Sequence, residues 1–203
     1  MVGIYDIFFT AKARIIGPGG YRFLIYTDAS YEADLDTGGL GAVVIDRLNF
    51  ISSGNRVGAI FESIASQTSM ACFRHSSIIF GLEMAALRWG ISPTGEWIRG
   101  KNLLIFIDND AVLCCFARSA SGVETSDRYV AALWWLFDFL DVRVWFERAA
   151  SKDNQADIPS RGLPFDLFDA NRYRSFSREG ELYELMDSIV NSKVVPPLHP
   201  SPL

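Results

Sequence analysis

Apolar and polar positions alternate along the chain in two distinct periods, and these divide it into elements. "YRFLIYTD" (21–28) reads as a strand ending on Asp28, with "GLGAVVID" (39–46) and "NFISSGNRV" (49–57) as a following pair joined by a short turn. Residues 58–75 keep neither period and read as irregular or partly helical. "SSIIFGLEMAALRWGI" (76–91) has Ile79, Leu82, Ala86 and Trp89 at helical spacing, with Ser76 or Ser77 as N-cap. "SPTGEW" then breaks that helix. "KNLLIFIDN" is apolar on both faces, as a central parallel strand should be. "DAVLCCFARSA" follows as a helix, "SGVETSD" as a loop, and 127–140 as a very apolar helix carrying Val130, Leu133, Trp134, Phe137 and Leu140. "VRVWFERA" (142–149) is a last strand, followed by the polar "SKDNQADIPSRG". This order predicts an α/β fold, a mixed sheet with covering helices.

Beyond that point the composition changes. Residues 179–192 suit an amphipathic helix with Leu182, Leu185, Met186, Ile189 and Val190 on one face, and "VVPPLHPSPL" is Pro-rich and reads as extended or disordered. With 203 residues, 49% of them apolar, the chain suits one domain (21–170) between an N-terminal extension (1–20) and a C-terminal helix and Pro-rich tail (171–203). A core of that size needs no disulfide or metal to hold it.

Two strands, each finishing on an acid, raise a chemical question. "FIDND" (106–110) ends an apolar run on two acids separated by one Asn, and "YRFLIYTDAS" ends another on Asp28. Asp and Asn favour turns, which alone explains either case. If the two strands are parallel, however, both carboxylates share the sheet edge where ligands of α/β proteins collect. Like charges held so close repel, unless a cation keeps both ionised. Hard oxygen ligands in a half-open site suit Mg²⁺. Glu83 in the first helix and Asp157 in the last polar segment are the further acids able to converge there. Taken singly, Glu83 reads as well as part of a solvated helix face, and Asp157 as an acid in the first turn of a short helix.

The set "YTDAS…GLGAVV", "GLEMAAL", "FIDNDAV" and "SKDNQADIPSRG" resembles ribonuclease H in the form attached to reverse transcriptases, closest to that of hepadnaviruses and DIRS-type retroelements. The likeness runs from about Tyr21 to Gly162 in the family's order. It implies a ribonuclease H-like fold, a mixed five-stranded sheet flanked by helices, here with a C-terminal helical extension. It also implies a metal-dependent endonuclease acting on the RNA strand of RNA–DNA hybrids, whose wide minor groove is read by shape and 2′-hydroxyls. Asp28 would bridge two Mg²⁺ ions, with Mn²⁺ a substitute, between Asp108 and Glu83 on one side and Asp157 on the other. Those ions, roughly 3.5–4 Å apart, would clamp the attacking water and the leaving oxygen. Ser30, Asn109 and Asn154 would be supporting or backbone-contacting groups. Arg161 would touch a phosphate or pair with a nearby acid.

The sequence also departs from that family. "AASKDNQ" lacks the His that many members carry before the last acid, and "ARSASGVETSDR" lacks the basic, Trp-containing handle by which some cellular enzymes grip hybrids. The stretch 58–75 is longer than the family's usual link. Net charge is −5, against a nucleic-acid coat protein, although four clustered carboxylates would account for −4 of it. The rival expectation is a ribonuclease H-like domain serving as a non-catalytic scaffold in a larger ribonucleoprotein. The implied partners are a hybrid duplex and a reverse transcriptase domain or ribonucleoprotein complex. A DEDD-type exonuclease would carry D-x-E where this chain has Asp28, Ala29 and Ser30, and an integrase-like transferase would lack "NQADIPSR".

Cys72, Cys114 and Cys115 are odd in number and two are adjacent, which disfavours a disulfide framework and predicts a reducing compartment, cytoplasm or nucleus. They have no partner His at zinc-ligand spacing. No apolar run reaches the roughly 18 residues of a membrane span. Asp6 within the first apolar run makes a poor secretory signal, while Lys12 and Arg14 leave a mitochondrial leader open.

Overall fold

The structure is a computed structural model that describes residues 20–34, 37–48, 58–65, 78–91, 94–122 and 124–161. The expectations for 1–19, 49–57, 66–77 (Cys72, Ser76 and Ser77 among them) and 162–203 fall outside these residues. Strands β1 (Phe23–Glu32), β2 (Thr37–Asp46) and β3 (Gly58–Ala65) come first, then helices α1 (Ile78–Ile91) and α2 (Gly95–Ile98). Strand β4 (Asn102–Ile107), helices α3 (Asp110–Arg118) and α4 (Glu124–Phe139), strand β5 (Arg143–Arg148), a 3₁₀ turn (Ser151–Asp153) and α5 (Asp157–Ser160) complete the described order.

The strands lie in the order β3-β2-β1-β4-β5. β1, β2 and β3 form an antiparallel meander, and β4 and β5 add in parallel on the other side of β1. The expected mixed sheet flanked by helices is therefore present. Strand order reverses between β1 and β4, the place where an open α/β sheet offers a crevice at the carboxyl ends of its strands.

Alternation along β1 and β2 builds two cores. Phe23, Ile25 and Ala29 join Leu40, Ala42 and Val44 on the face covered by α1 and α4, where Leu82, Leu87, Val130, Leu133 and Phe137 are buried. Leu24, Tyr26, Val43 and Ile45 face the opposite side, where they meet Ala156 just before α5. Each fully buried Leu or Ile contributes roughly 1.5–3 kcal/mol, so the α1 face dominates stability. On the second face Tyr26 stacks on Phe106 with ring centroids 4.5 Å apart, tying β1 to β4 next to the crevice.

Four sequence expectations need correction. β1 does not stop at Asp28 but runs to Glu32, because β2 continues to pair with it as far as Glu32↔Thr37. Its parallel pairing with β4 ends at Tyr26↔Phe106, so Asp28 sits where only one neighbour strand remains. Gly58–Ala65, expected to be irregular or partly helical, forms β3 against β2. Helix α4 begins at Glu124, inside the segment expected to be a loop, and α2 forms within the segment expected only to break α1.

Candidate active site

Three carboxylates from three elements meet at the crevice. One oxygen each from Asp28, Glu83 and Asp108 lie within 4.8 Å of one another. Asp28 comes from the middle of β1, Asp108 is the first residue beyond β4, and Glu83 reaches in from the second turn of α1. The solvated-face alternative for Glu83 is excluded, since the residue is only 4% exposed. α1 is buried all round between Gly81 and Arg88, so a polar side chain there has no water to turn to.

Asn109 explains how Asp108 is presented. Its side-chain oxygen accepts the backbone N–H groups of Ala111 and Val112 at 3.0 and 3.2 Å, capping α3. The cap turns the chain out of the strand immediately after Asp108, leaving that carboxylate half-buried at the crevice. The next acid, Asp110, does not join the group. Its Oδ1 accepts from Arg148 Nε at 2.6 Å, an exposed pair bridging α3 and β5.

The polar segment after β5 is tied to Asp28 from two directions. Asn154 is buried, and its Nδ2 donates to the Thr27 carbonyl at 3.0 Å and to Asp28 Oδ1 at 3.4 Å. Ser160, fully buried, donates its hydroxyl to Asp28 Oδ2 at 2.5 Å. Ser30 contributes to the same seam, its hydroxyl donating to the Ser160 carbonyl at 2.5 Å. Two glycines of "GGLG" make this approach feasible. A Cβ on Gly39 would lie 1.8 Å from the Ser160 carbonyl oxygen, and one on Gly41 2.5 Å from the Ala156 carbonyl oxygen.

Asp157 stands beside the cluster but not in it. Its Oδ1 accepts from both Nε and Nη2 of Arg161, at 2.8 and 2.7 Å. Thus the structure brings Asp28, Glu83 and Asp108 together, sets Asp157 against Arg161 at the rim, and gives Ser30, Asn109 and Asn154 partners within the fold. Sequence reasoning missed Ser160, the direct partner of Asp28. Its one signal was its place inside the "ADIPSR" segment.

Electrostatically the cluster is under tension. Burial, together with the charges of Asp108 and Asp157, pushes the Asp28 carboxyl up to about 7, although the Ser160 hydroxyl and Arg161 oppose the shift. Burial pushes Glu83 higher, to about 9, with Asp28 and Asp108 adding repulsion and the Ala29 N–H opposing. Glu83 Oε2 is buried and has no hydrogen-bond partner among the described residues. A buried oxygen left unpaired costs free energy unless something fills the role of donor. Three converging carboxylates, one of which also carries an unpaired buried oxygen, fit a hard divalent cation.

No protein-family model matches the sequence, and no curated protein matches it. Solved structures do match the fold. RNase H1 from the halophilic archaeon Halobacterium salinarum NRC-1 aligns with TM-score 0.52 and 13% identity, over 69% of this chain and 95% of that one. The N-terminal RNase H domain of a Mycobacterium tuberculosis protein aligns with TM-score 0.52 and 13% identity, over 70% and 93%. LC11-RNase H1, solved in complex with an RNA/DNA hybrid, aligns with TM-score 0.54 and 14% identity, over 72% and 99%. The chain therefore contains a domain with the ribonuclease H fold.

Proposed function

We propose that the protein is a divalent-metal-dependent endonuclease that hydrolyses the RNA strand of RNA–DNA hybrids. The convergence of Asp28, Glu83 and Asp108 at the strand-order reversal carries this reading. A protein using the fold only as a scaffold gains nothing from three mutually repelling carboxylates, two of them buried and one half-buried, and the raised Asp28 and Glu83 record what they cost. The hybrid-bound structural neighbour of the same fold supports the choice of substrate.

Asp28, Glu83, Asp108 and Asp157 would hold Mg²⁺ ions, or Mn²⁺ in their place. Bound there, such ions supply an activated water and charge stabilisation for the phosphodiester being cut. Asn154 and Ser160 fix the Asp28 carboxylate through both of its oxygens, so its direction is set before any cation arrives. Asn109 sets the direction of Asp108 through the α3 cap. A hybrid is read by backbone shape, and its phosphates would pass over the rim where Arg148 and Arg161 lie.

The "NQADIPSR" segment, whose Asn154 and Ser160 hold Asp28, supports a reverse-transcriptase type of ribonuclease H derived from a retroelement polymerase. On this reading, a polymerase domain or ribonucleoprotein partner supplies hybrid contacts that an acidic chain without a basic handle lacks. The free thiols of Cys114 and Cys115 support an intracellular, reducing location.

Cleavage of a labelled RNA–DNA hybrid with and without Mg²⁺ tests the reading. Mg²⁺-dependent cuts in the RNA strand alone are expected. Absence of cleavage together with absence of Mg²⁺ binding would make the non-catalytic scaffold the better account.

A further inference from the structure

Asp157 is the one predicted ligand held away from the other three, and what holds it is on the surface. Both contacting nitrogens of Arg161 rest on a single Asp157 oxygen, one helical turn away. The side chains are 58% and 38% exposed, so the pair is largely in water. Such i,i+4 pairs bias a population by only about twofold, up to roughly fivefold. A phosphate offers the same guanidinium a planar two-point contact that is stronger than a screened carboxylate pair. Both members lie close enough to the cluster for their charges to act on Asp28.

We propose that Arg161 is an exchangeable latch on Asp157. Without nucleic acid the guanidinium holds the Asp157 carboxylate. A backbone phosphate of a bound strand takes over the guanidinium and frees Asp157 to join Asp28, Glu83 and Asp108 around a divalent cation. Arg161 is thus a positioning residue that couples strand binding to completion of the cation site. The inference rests on the hydrolase reading above. By linkage, strand and cation each strengthen the binding of the other.

The protein without nucleic acid allows a test that does not depend on cleavage. Mn²⁺ affinity is measured by electron paramagnetic resonance for the wild type, Arg161→Gln, Asp157→Asn and the double variant. Arg148→Gln serves as control, because it removes a rim arginine that is paired with Asp110 and not with Asp157. The latch predicts that Arg161→Gln binds Mn²⁺ about two- to fivefold more tightly than Arg148→Gln does. It also predicts that Asp157→Asn weakens Mn²⁺ binding more in the Arg161→Gln background than in the wild type. Equal gains in the two arginine variants, or additive effects of Arg161→Gln and Asp157→Asn, would overturn the latch. Absence of Mn²⁺ binding by the wild type would instead overturn the hydrolase reading beneath it. Hybrid binding in EDTA, followed by anisotropy, gives the second arm: Arg161→Gln should lower the salt slope by about one phosphate contact. An unchanged slope would show that no phosphate takes Arg161 and would also overturn the proposal.

Discussion

Ser160 and Asp28, 132 positions apart in sequence, share a buried hydrogen bond, the Ser160 hydroxyl donating to Asp28 Oδ2 at 2.5 Å. It fastens the end of the described chain to the central strand and opposes the upward shift of the Asp28 carboxyl. Ser160→Ala leaves one buried carboxylate oxygen short of a donor. We expect a stability loss of about 1–3 kcal/mol in urea denaturation. Because the lost bond favours the charged form, the acid limb of the cleavage pH profile should move to higher pH. A profile that stays in place would show that Ser160 acts only in folding.

Gly39 and Gly41 lie under the same seam, and space rather than backbone conformation requires them. A Cβ on Gly39 would lie 1.8 Å from the Ser160 carbonyl oxygen, a clash that only displacement of α5 relieves. Gly39→Ala should therefore lose cleavage and roughly 2–4 kcal/mol of stability, in the range of severe steric replacements. Gly100→Ala is the informative contrast. Its φ is +70 with nothing within 4 Å of a Cβ, so strain of about 1–2 kcal/mol is the only penalty and cleavage should survive. Equal activity loss in both variants, measured at a temperature where both are folded, would disconnect the seam from the site.

How far the sequence revealed all this depends on the range of each interaction. Asp108 was legible because an apolar strand ending on an acid is a local signal. Asp28 was legible as a site, but not as mid-strand, since the extension to Glu32 depends on pairing with β2. Glu83 was ambiguous because helical spacing marked one apolar face, whereas α1 is buried on every side from Gly81 to Arg88. In "FIDND" three adjacent polar residues serve three purposes: Asp108 joins the cluster, Asn109 caps α3, and Asp110 pairs with Arg148. β3 was missed because "GAIFESIA" does not alternate cleanly. Ser160 was missed because its partner is set by tertiary approach over Gly39 and Gly41, which no local period encodes.

The raised carboxyls give the metal-free protein an unusual pH response. Asp28 and Glu83 have ordinary values of 3.8 and 4.5 and folded values of about 7 and about 9. The folded state therefore holds protons that the unfolded state has already released. Their stabilising contribution is complete below about pH 4 and is lost as pH rises through 7 and then 9. Each such proton gives a slope of up to about 1.4 kcal/mol per pH unit. In EDTA the melting temperature should fall between about pH 6 and 9, and Mg²⁺ should raise it most at the alkaline end, where protons no longer compete. A melting temperature independent of pH, with a Mg²⁺ increment equal at both ends, would contradict the site as drawn.

Asp108→Asn separates a functional acid from a structural one most directly, because its two expected effects have opposite signs. The substitution keeps side-chain size and leaves the Asn109 cap of α3 untouched. It removes a negative charge that raises both Asp28 and Glu83, so the metal-free protein should gain stability, on the order of 1 kcal/mol at pH 8. It also removes one of the three carboxylates that, among the described residues, lie in close contact. Loss of the outer partners of metal ligands typically costs 10–100-fold, so loss of a ligand itself should cost more than about 100-fold in hybrid cleavage. Denaturation and cleavage measured on the same preparation give both numbers. A variant that is both inactive and less stable would mark Asp108 as a residue of the fold. One that is more stable and still active would place the chemistry elsewhere. Only a gain in stability together with a loss of cleavage fits carboxylates kept close, against their own repulsion, for a cation.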